Sequence, residues 1–255
     1  MLQDSRHPYP ECDDDDKNLL TLYIMMTYVY MGIQAIPYAH LNGLRDSGKS
    51  TIGDIFGFFC FNAIQNVQPT AAVVYRDARS NRPTFIIDEA ENLGNHVPGS
   101  DGQVMYNVCL SSYANTDSAY VRRINPNTNK PEAFFAYGPK IFQSIKPMDP
   151  TLASRCVLFQ CMGKPKGVSL KDLAGRIAHE APELVLLRDQ LYVWSMTHFR
   201  AFRERYESIA LESLEEIQNN RFTQIWRPLY ALALHIDDHT NIGAAEKVLT
   251  SAAIS

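Results

Sequence analysis

Apolar positions along this chain change their spacing several times, and each change predicts an element. From residue 18 to 36 they recur at helical spacing, with Leu19, Leu20, Leu22, Tyr23, Met26 and Tyr30 on one stripe. Tyr38-Ala39-His40-Leu41-Asn42 reads as a strand end. Thr51-Ile52-Gly53-Asp54-Ile55-Phe56 reads as the start of a helix reaching toward Asn66, and the segment from Pro69 to Arg76 as a short helix. Thr84-Phe85-Ile86-Ile87 is a continuous apolar run, the pattern of a parallel strand covered on both faces. Asn95 to Gln103 is a loop, rich in Gly, Pro, Asn and Asp, and Val104 to Tyr113 is a helix. Ala119 to Ile124, followed by the turn-forming run from Asn125 to Pro131, predicts a hairpin. Phe134 to Tyr137 and Cys156 to Met162 read as further strands. Gly163-Lys164-Pro165-Lys166-Gly167 marks a boundary, and the remainder to about Ser251 is helical and amphipathic. The expected organisation is a lead-in over 1–17, an α/β domain over 18–165 with its sheet sandwiched by helices, and an all-helical C-terminal domain over 166–255.

Composition narrows the class only a little. The 255 residues carry 45% hydrophobic and 20% charged residues and a net charge of −4, ordinary for a soluble globular protein. No global basic field advertises nucleic acid, although local basic surfaces remain compatible with it. Cys12, Cys60, Cys109, Cys156 and Cys161 lack C-x-x-C spacing and read as reduced, buried small hydrophobes. His179, His198 and His235 are scattered over helical stretches without metal-ligand spacing, and Trp194 and Trp226 fall at core positions. The first residues are polar and acidic, unlike a signal peptide. Leu19 to Tyr38 contains Thr, Gln, Tyr and Pro37 and suits a buried helix and strand better than a membrane span. Asp13-Asp14-Asp15-Asp16-Lys17 resembles an enteropeptidase cleavage sequence and equally suits an acidic helix start.

The densest chemistry lies in Gly43-Leu44-Arg45-Asp46-Ser47-Gly48-Lys49-Ser50-Thr51. It fits the phosphate-binding pattern G-x-x-x-x-G-K-[ST], in which glycines let several backbone N–H groups converge on one phosphate. Lys49 reaches the outer phosphates in such a loop, and the Ser50 hydroxyl holds Mg²⁺. A strand before and a helix N-terminus after complete an anion site. Asp88 and Glu89 end the apolar run at 84–87, where ligands bind in open α/β sheets. Asp88 suits the Mg²⁺ shell and Glu89 suits a base for the attacking water. The competing reading of this pair is a solvated acidic turn, since Ala90-Glu91-Asn92 continues polar.

With those motifs in place, the order of segments resembles the P-loop ATPase domain of phage, plasmid and integrative-element proteins of the primase–helicase kind, a family long catalogued as a domain of unknown function. The likeness covers roughly residues 18–240. It is carried by Leu22 to Tyr30 with Ile36-Pro37-Tyr38, by Thr70 to Arg76, and by Ile86-Ile87-Asp88-Glu89-Ala90. It continues through Leu110-Ser111-Ser112-Tyr113, Val121-Arg122-Arg123, Tyr137-Gly138-Pro139-Lys140, Ile145-Lys146-Pro147 and Thr151-Leu152-Ala153-Ser154-Arg155. Asn220-Arg221 with Ile225-Trp226-Arg227-Pro228-Leu229 resembles the C-terminal signature. Ser112 stands where the family often has Gly, and Ser154 where it often has Asp. The resemblance implies a RecA/AAA+-like P-loop NTPase fold, ATP and Mg²⁺ as cofactors, and an ATP-hydrolysing motor acting on single-stranded DNA. It also implies a homo-oligomeric ring with shared active sites, a primase domain or protein as partner, no membrane association, and the cytoplasm of a bacterial or phage-infected cell.

The resemblance also suggests roles outside the loop. Arg155 is the candidate arginine supplied to a neighbour's γ-phosphate, against the alternative of a surface arginine capping the preceding helix. Lys140 is a candidate γ-phosphate sensor, against a solvated turn lysine. Arg122 and Arg123 are candidates for nucleic-acid phosphates, against one solvated and one ion-paired arginine. Two other functions start from the same loop: a nucleotide-dependent switch or assembly ATPase without unwinding activity, and a small-molecule kinase.

Overall fold

The structure, a computed structural model, describes residues 14–67, 69–93, 97–125, 127–162, 173–209, 220–240 and 242–254. The predicted boundary at Gly163–Gly167 lies outside these residues. Helix α1 (Asp14–Val29) ends in a 3-10 turn at Tyr30–Gly32, and β1 (Tyr38–Asn42) follows. Then come α2 (Lys49–Phe59), β2 (Ile64–Val67), α3 (Ala71–Asn81), β3 (Phe85–Asp88) and α4 (Asp101–Ser111). Strands β4 (Tyr120–Ile124) and β5 (Pro131–Phe135) form a hairpin, and β6 (Lys140–Ser144), α5 (Pro150–Ala153) and β7 (Cys156–Gln160) complete the sheet region. Helices α6 (Leu173–Ala178), α7 (Pro182–Ser208), α8 (Asn220–Asp237) and α9 (Ala244–Ile254) follow.

Local chemistry sets several of these boundaries. Thr70 and Ser100 each accept a hydrogen bond from the backbone N–H three residues on, starting α3 and α4. Asp149 Oδ1 accepts from Thr151 N at 2.9 Å and Leu152 N at 3.2 Å, and Pro150 occupies the first helical position of α5. The helix predicted to run to residue 36 ends at Val29.

Five parallel strands form one sheet in the order β2-β3-β6-β1-β7. Leu41 pairs with Gln143 on one side and Phe159 on the other, so β1 is fully enclosed. Such a sheet needs cover on both faces. One hydrophobic cluster joins α3 and α4 to Phe85, Ile87 and Phe142. The other joins α1 and α2 to Ile86, Ile141 and Val157, and continues into α7, α8 and α9. Ile86, Ile141 and Phe142 are fully buried, and each contributes about 1.5–3 kcal/mol by leaving water.

Strands β2 and β6 are absent from the sequence expectation, and β6 is the central strand. Its sequence, Lys-Ile-Phe-Gln-Ser, shows only two consecutive apolar residues. The alternation test fails because Lys140 and Gln143 are themselves buried. The hairpin forms as expected, with Arg122 opposite Ala133 and Arg123 opposite Glu132.

Candidate active site

All five strands run the same way, so their C-terminal ends share one edge of the sheet. Asn42 of β1, Ser144 of β6 and Asp88 of β3 lie there, with β6 between the other two. That places the loop after β1 and the carboxylates after β3 two strand spacings apart, about 10 Å. The loop from Gly43 to Gly48 is held in conformations that need its glycines. A Cβ at Gly43 would overlap the Cys161 carbonyl and the Ser47 hydroxyl. Gly48 has φ 86° at the N-terminus of α2, with open space where a Cβ would sit. Asp46 is also left-handed, at φ 60°.

The polar groups of this loop are largely uncommitted to the fold. Ser47 Oγ is buried without a hydrogen-bond partner. Lys49 Nζ donates to the loop's own carbonyls, at Leu44 O (2.7 Å) and Gly43 O. Ser50 and Thr51 are exposed in the first turn of α2, where backbone N–H groups have no partner within the helix. Across the edge, Asp88 Oδ1 accepts from Glu89 N at 2.8 Å. Glu89 has φ 53°, a left-handed backbone that an exposed glutamate adopts only at a cost of about 1–2 kcal/mol. Among the described residues no group of three or more His, Cys, Asp or Glu is arranged to hold a metal ion.

Between the loop and the carboxylates lies a network that the sequence did not reveal. Ser144 Oγ donates to Lys146 O at 2.7 Å. It therefore accepts from His40 Nε2 at 2.7 Å and Asn42 Nδ2 at 3.2 Å, which assigns the proton of His40 to Nε2. Asn42 Nδ2 also donates to Lys146 O at 3.2 Å. Burial lowers the His40 pKa to about 4. The network fixes the turn Ile145-Lys146-Pro147 and leaves the Lys146 side chain exposed. Asn42, just before the loop, was the one available signal.

The structure corrects the placement of Lys140. It begins β6 rather than ending a strand, so it lies at the opposite edge of the sheet from the loop. A five-residue strand spans about 16 Å. Lys140 is fully buried, donates to Ala136 O (3.2 Å) and Gly138 O (3.1 Å), and lies 5.1 Å from the centre of the Tyr38 ring. Burial lowers its pKa to about 8. It clamps a turn and is not placed to sense a phosphate.

Arg155 stands at the same remote edge, where its carbonyl accepts from Tyr38 N at 2.9 Å. Its side chain is buried, donates to Leu110 O at 3.0 Å and to Thr151 O, and lies over Tyr113 at 5.1 Å. It does not approach the loop of its own chain. Arg221 of α8 is exposed beside it and donates to Ser154 Oγ at 3.2 Å. Arg122 and Arg123 are both exposed on β4, without an ion pair among the described residues.

No protein-family model matches the chain, and no curated protein matches it. Among solved structures it is similar to one described as SCCmec type IV Cch, active helicase. The match has 12% identity and a TM-score of 0.51, and covers 92% of this chain and 49% of that one. The fold is helicase-like. Weaker likenesses, at TM-score 0.39 and 14% identity, are to JCV helicase, covering 86% of this chain and 67% of that one. The chain thus spans about half to two thirds of the length of these helicases. Among the described residues no helix is long and apolar enough to cross a membrane.

Proposed function

We propose that this chain is a Mg²⁺-dependent ATPase of the P-loop type, acting as the motor domain of a helicase on DNA. One observation carries the reading: a glycine loop with an orphaned Ser47 hydroxyl and an open α2 N-terminus stands two strand spacings from Asp88 and Glu89, on the same edge of the sheet. Gly43, Asp46, Ser47, Gly48, Lys49, Ser50 and Thr51 would hold the phosphates of ATP. Ser50 and Asp88 would hold Mg²⁺, which supplies charge neutralisation between the β- and γ-phosphates. Lys49 leaves its two carbonyls for the phosphate oxygens, a stronger, charge-assisted partner. Glu89 then acts as the base that orients and deprotonates water. Lys146, presented by the Ser144 and Asn42 network, would be a second cation beside Lys49 on this edge, in a position to sense the γ-phosphate that Lys140 is too remote to reach.

In a ring, the remote edge of one copy would meet the open edge of the next. Arg155 is half of that contribution at most, because two of its donors already serve carbonyls. Arg221 is the exposed guanidinium beside it. The hairpin offers Arg122 and Arg123 to DNA phosphates.

The test is the ATPase rate with and without single-stranded DNA, together with mass measurement in ATP. Hydrolysis that DNA stimulates, abolished in Lys49→Ala, supports the motor. An intact protein that binds no ATP would sink it. ATP-dependent assembly with no DNA affinity at low salt would favour the switch or assembly ATPase instead, a reading favoured by the sequestered Arg155.

A further inference from the structure

Far from the glycine loop, three histidines that are scattered in sequence meet in space. His198 of α7 faces His235 near the end of α8 and His239 in the turn that follows. Their ring centres are mutually 5.2, 5.5 and 5.1 Å apart. His198 Nδ1 lies 3.0 Å from His235 Nε2, so one nitrogen donates and the other accepts. The carbonyl of His235 accepts from His239 Nδ1 at 2.9 Å. Trp194 stacks on His198, with centroids 5.5 Å apart and planes 16° from parallel. His235 is 4% exposed. The cluster walls a cavity of about 420 Å³ between α1, α7, α8 and the chain entering α9.

A shared hydrogen bond of this kind survives only while one of its two rings is neutral. A second proton sets N–H against N–H at 3.0 Å and places two positive rings about 5 Å apart. The surroundings do little to relieve that. On α7, Arg205 adds positive charge and is already ion-paired with Asp238 of the following turn. Glu204 is paired with Arg200 at 3.0 Å. Helix α1 and the approach to α9 bring Asn18, Thr21, Ile242 and Ala244, none of them charged. Burial first, then the two neighbouring imidazoles, holds the His235 pKa below the usual imidazole value.

We propose that His198, His235 and His239 form a pH-sensitive latch that closes α7 on α8. Because the folded form of His235 binds a proton less readily than the unfolded chain, the latch is intact above about pH 6.5 and weakens as pH falls below it. Helices α7, α8 and α9 pack on α1, so opening the latch loosens the helical layer over α1 while α3, α4 and their face of the sheet stay closed.

Hydrogen exchange followed by mass spectrometry at pH 7.5 and pH 5.5, corrected for intrinsic exchange, reads this directly. Amides of α7 and α8 are expected to open about tenfold more often at the lower pH, relative to α3 and β3. In His198→Gln, which keeps a hydrogen-bonding group but no titrating charge, the difference shrinks measurably, because the neighbouring charge is removed while the burial of His235 remains. His239→Gln, at an exposed position, serves if His198→Gln does not fold at pH 7.5. Equal acid response in α7, α8, α3 and β3 of the native chain overturns the latch. An undiminished tenfold response in the folded variants overturns it equally. His40 also titrates in acid, but it reports from β1, away from these helices.

Discussion

Where β1, β6 and β7 begin, Lys140 and Arg155 are buried, and their donors serve backbone carbonyls. Where β1, β3 and β6 end, Lys49 rests on its own loop, Ser47 has no partner, and Glu89 holds a strained backbone in solvent. Cations stand at both edges, and burial decides their use. At the first edge a lost donor would leave buried carbonyls unpaired, so the charge is committed to folding. At the second edge Lys49 also serves two carbonyls, but they belong to its own loop and the lysine is only half-buried, so an incoming anion could draw it away at little cost. The orphaned Ser47 hydroxyl and the left-handed backbones of Asp46 and Glu89 lie at this second edge.

The sharpest way to break this contrast is Lys49→Ala. ATP turnover is expected to fall about 100-fold or more, as for loss of a positioned transition-state cation, while thermal unfolding barely moves. A large loss of stability would mean that the loop lysine is structural after all. Acid titration comes next. The His40 pKa is depressed to about 4, so its folded state binds fewer protons than the unfolded chain below about pH 6.5. Stability from this group is complete above pH 6.5 and falls by about 3 kcal/mol by pH 4. Denaturant midpoints across that range, native against His40→Gln, check it; parallel curves would show that burial of His40 does not matter.

Lys140→Met is the mirror of Lys49→Ala. It leaves the Ala136 and Gly138 carbonyls without their donor, and unfolding free energy should drop by about 1–3 kcal/mol. Turnover per folded molecule should not change. A turnover defect would restore Lys140 to the site. The smallest expected effect on stability is that of Glu89→Gly, which relieves the left-handed backbone and should raise stability by about 1 kcal/mol while removing the proposed base and so lowering turnover. Calorimetry and a turnover assay on one sample measure both sides of that exchange.

The sequence made one edge legible and hid the other. The loop at 43–51 is visible in the sequence because its glycines fall at fixed intervals, and Asp88–Glu89 because a buried parallel strand is a run of apolar residues. Strand β6 was illegible because it buries a lysine and a glutamine, and pairing on both sides satisfies its backbone where its side chains give no apolar signal. Lys140 is affected directly, because it starts a strand that carries no apolar signature. Missing β6 also hid Ser144 and Lys146. The histidine cluster was hidden by distance along the chain, since His198 lies 37 residues from His235, although His235 and His239 are only four apart.

Gly43 has one more consequence. Without a side chain there, the end of β7 lies against the loop: Cys161 N donates to Asn42 O at 2.7 Å, and its carbonyl occupies the space a Cβ would need. The polypeptide thus leaves the sheet for α6 to α9 from directly beneath the glycine turn. Any side chain at position 43 would therefore push on the end of β7 as well as on the loop.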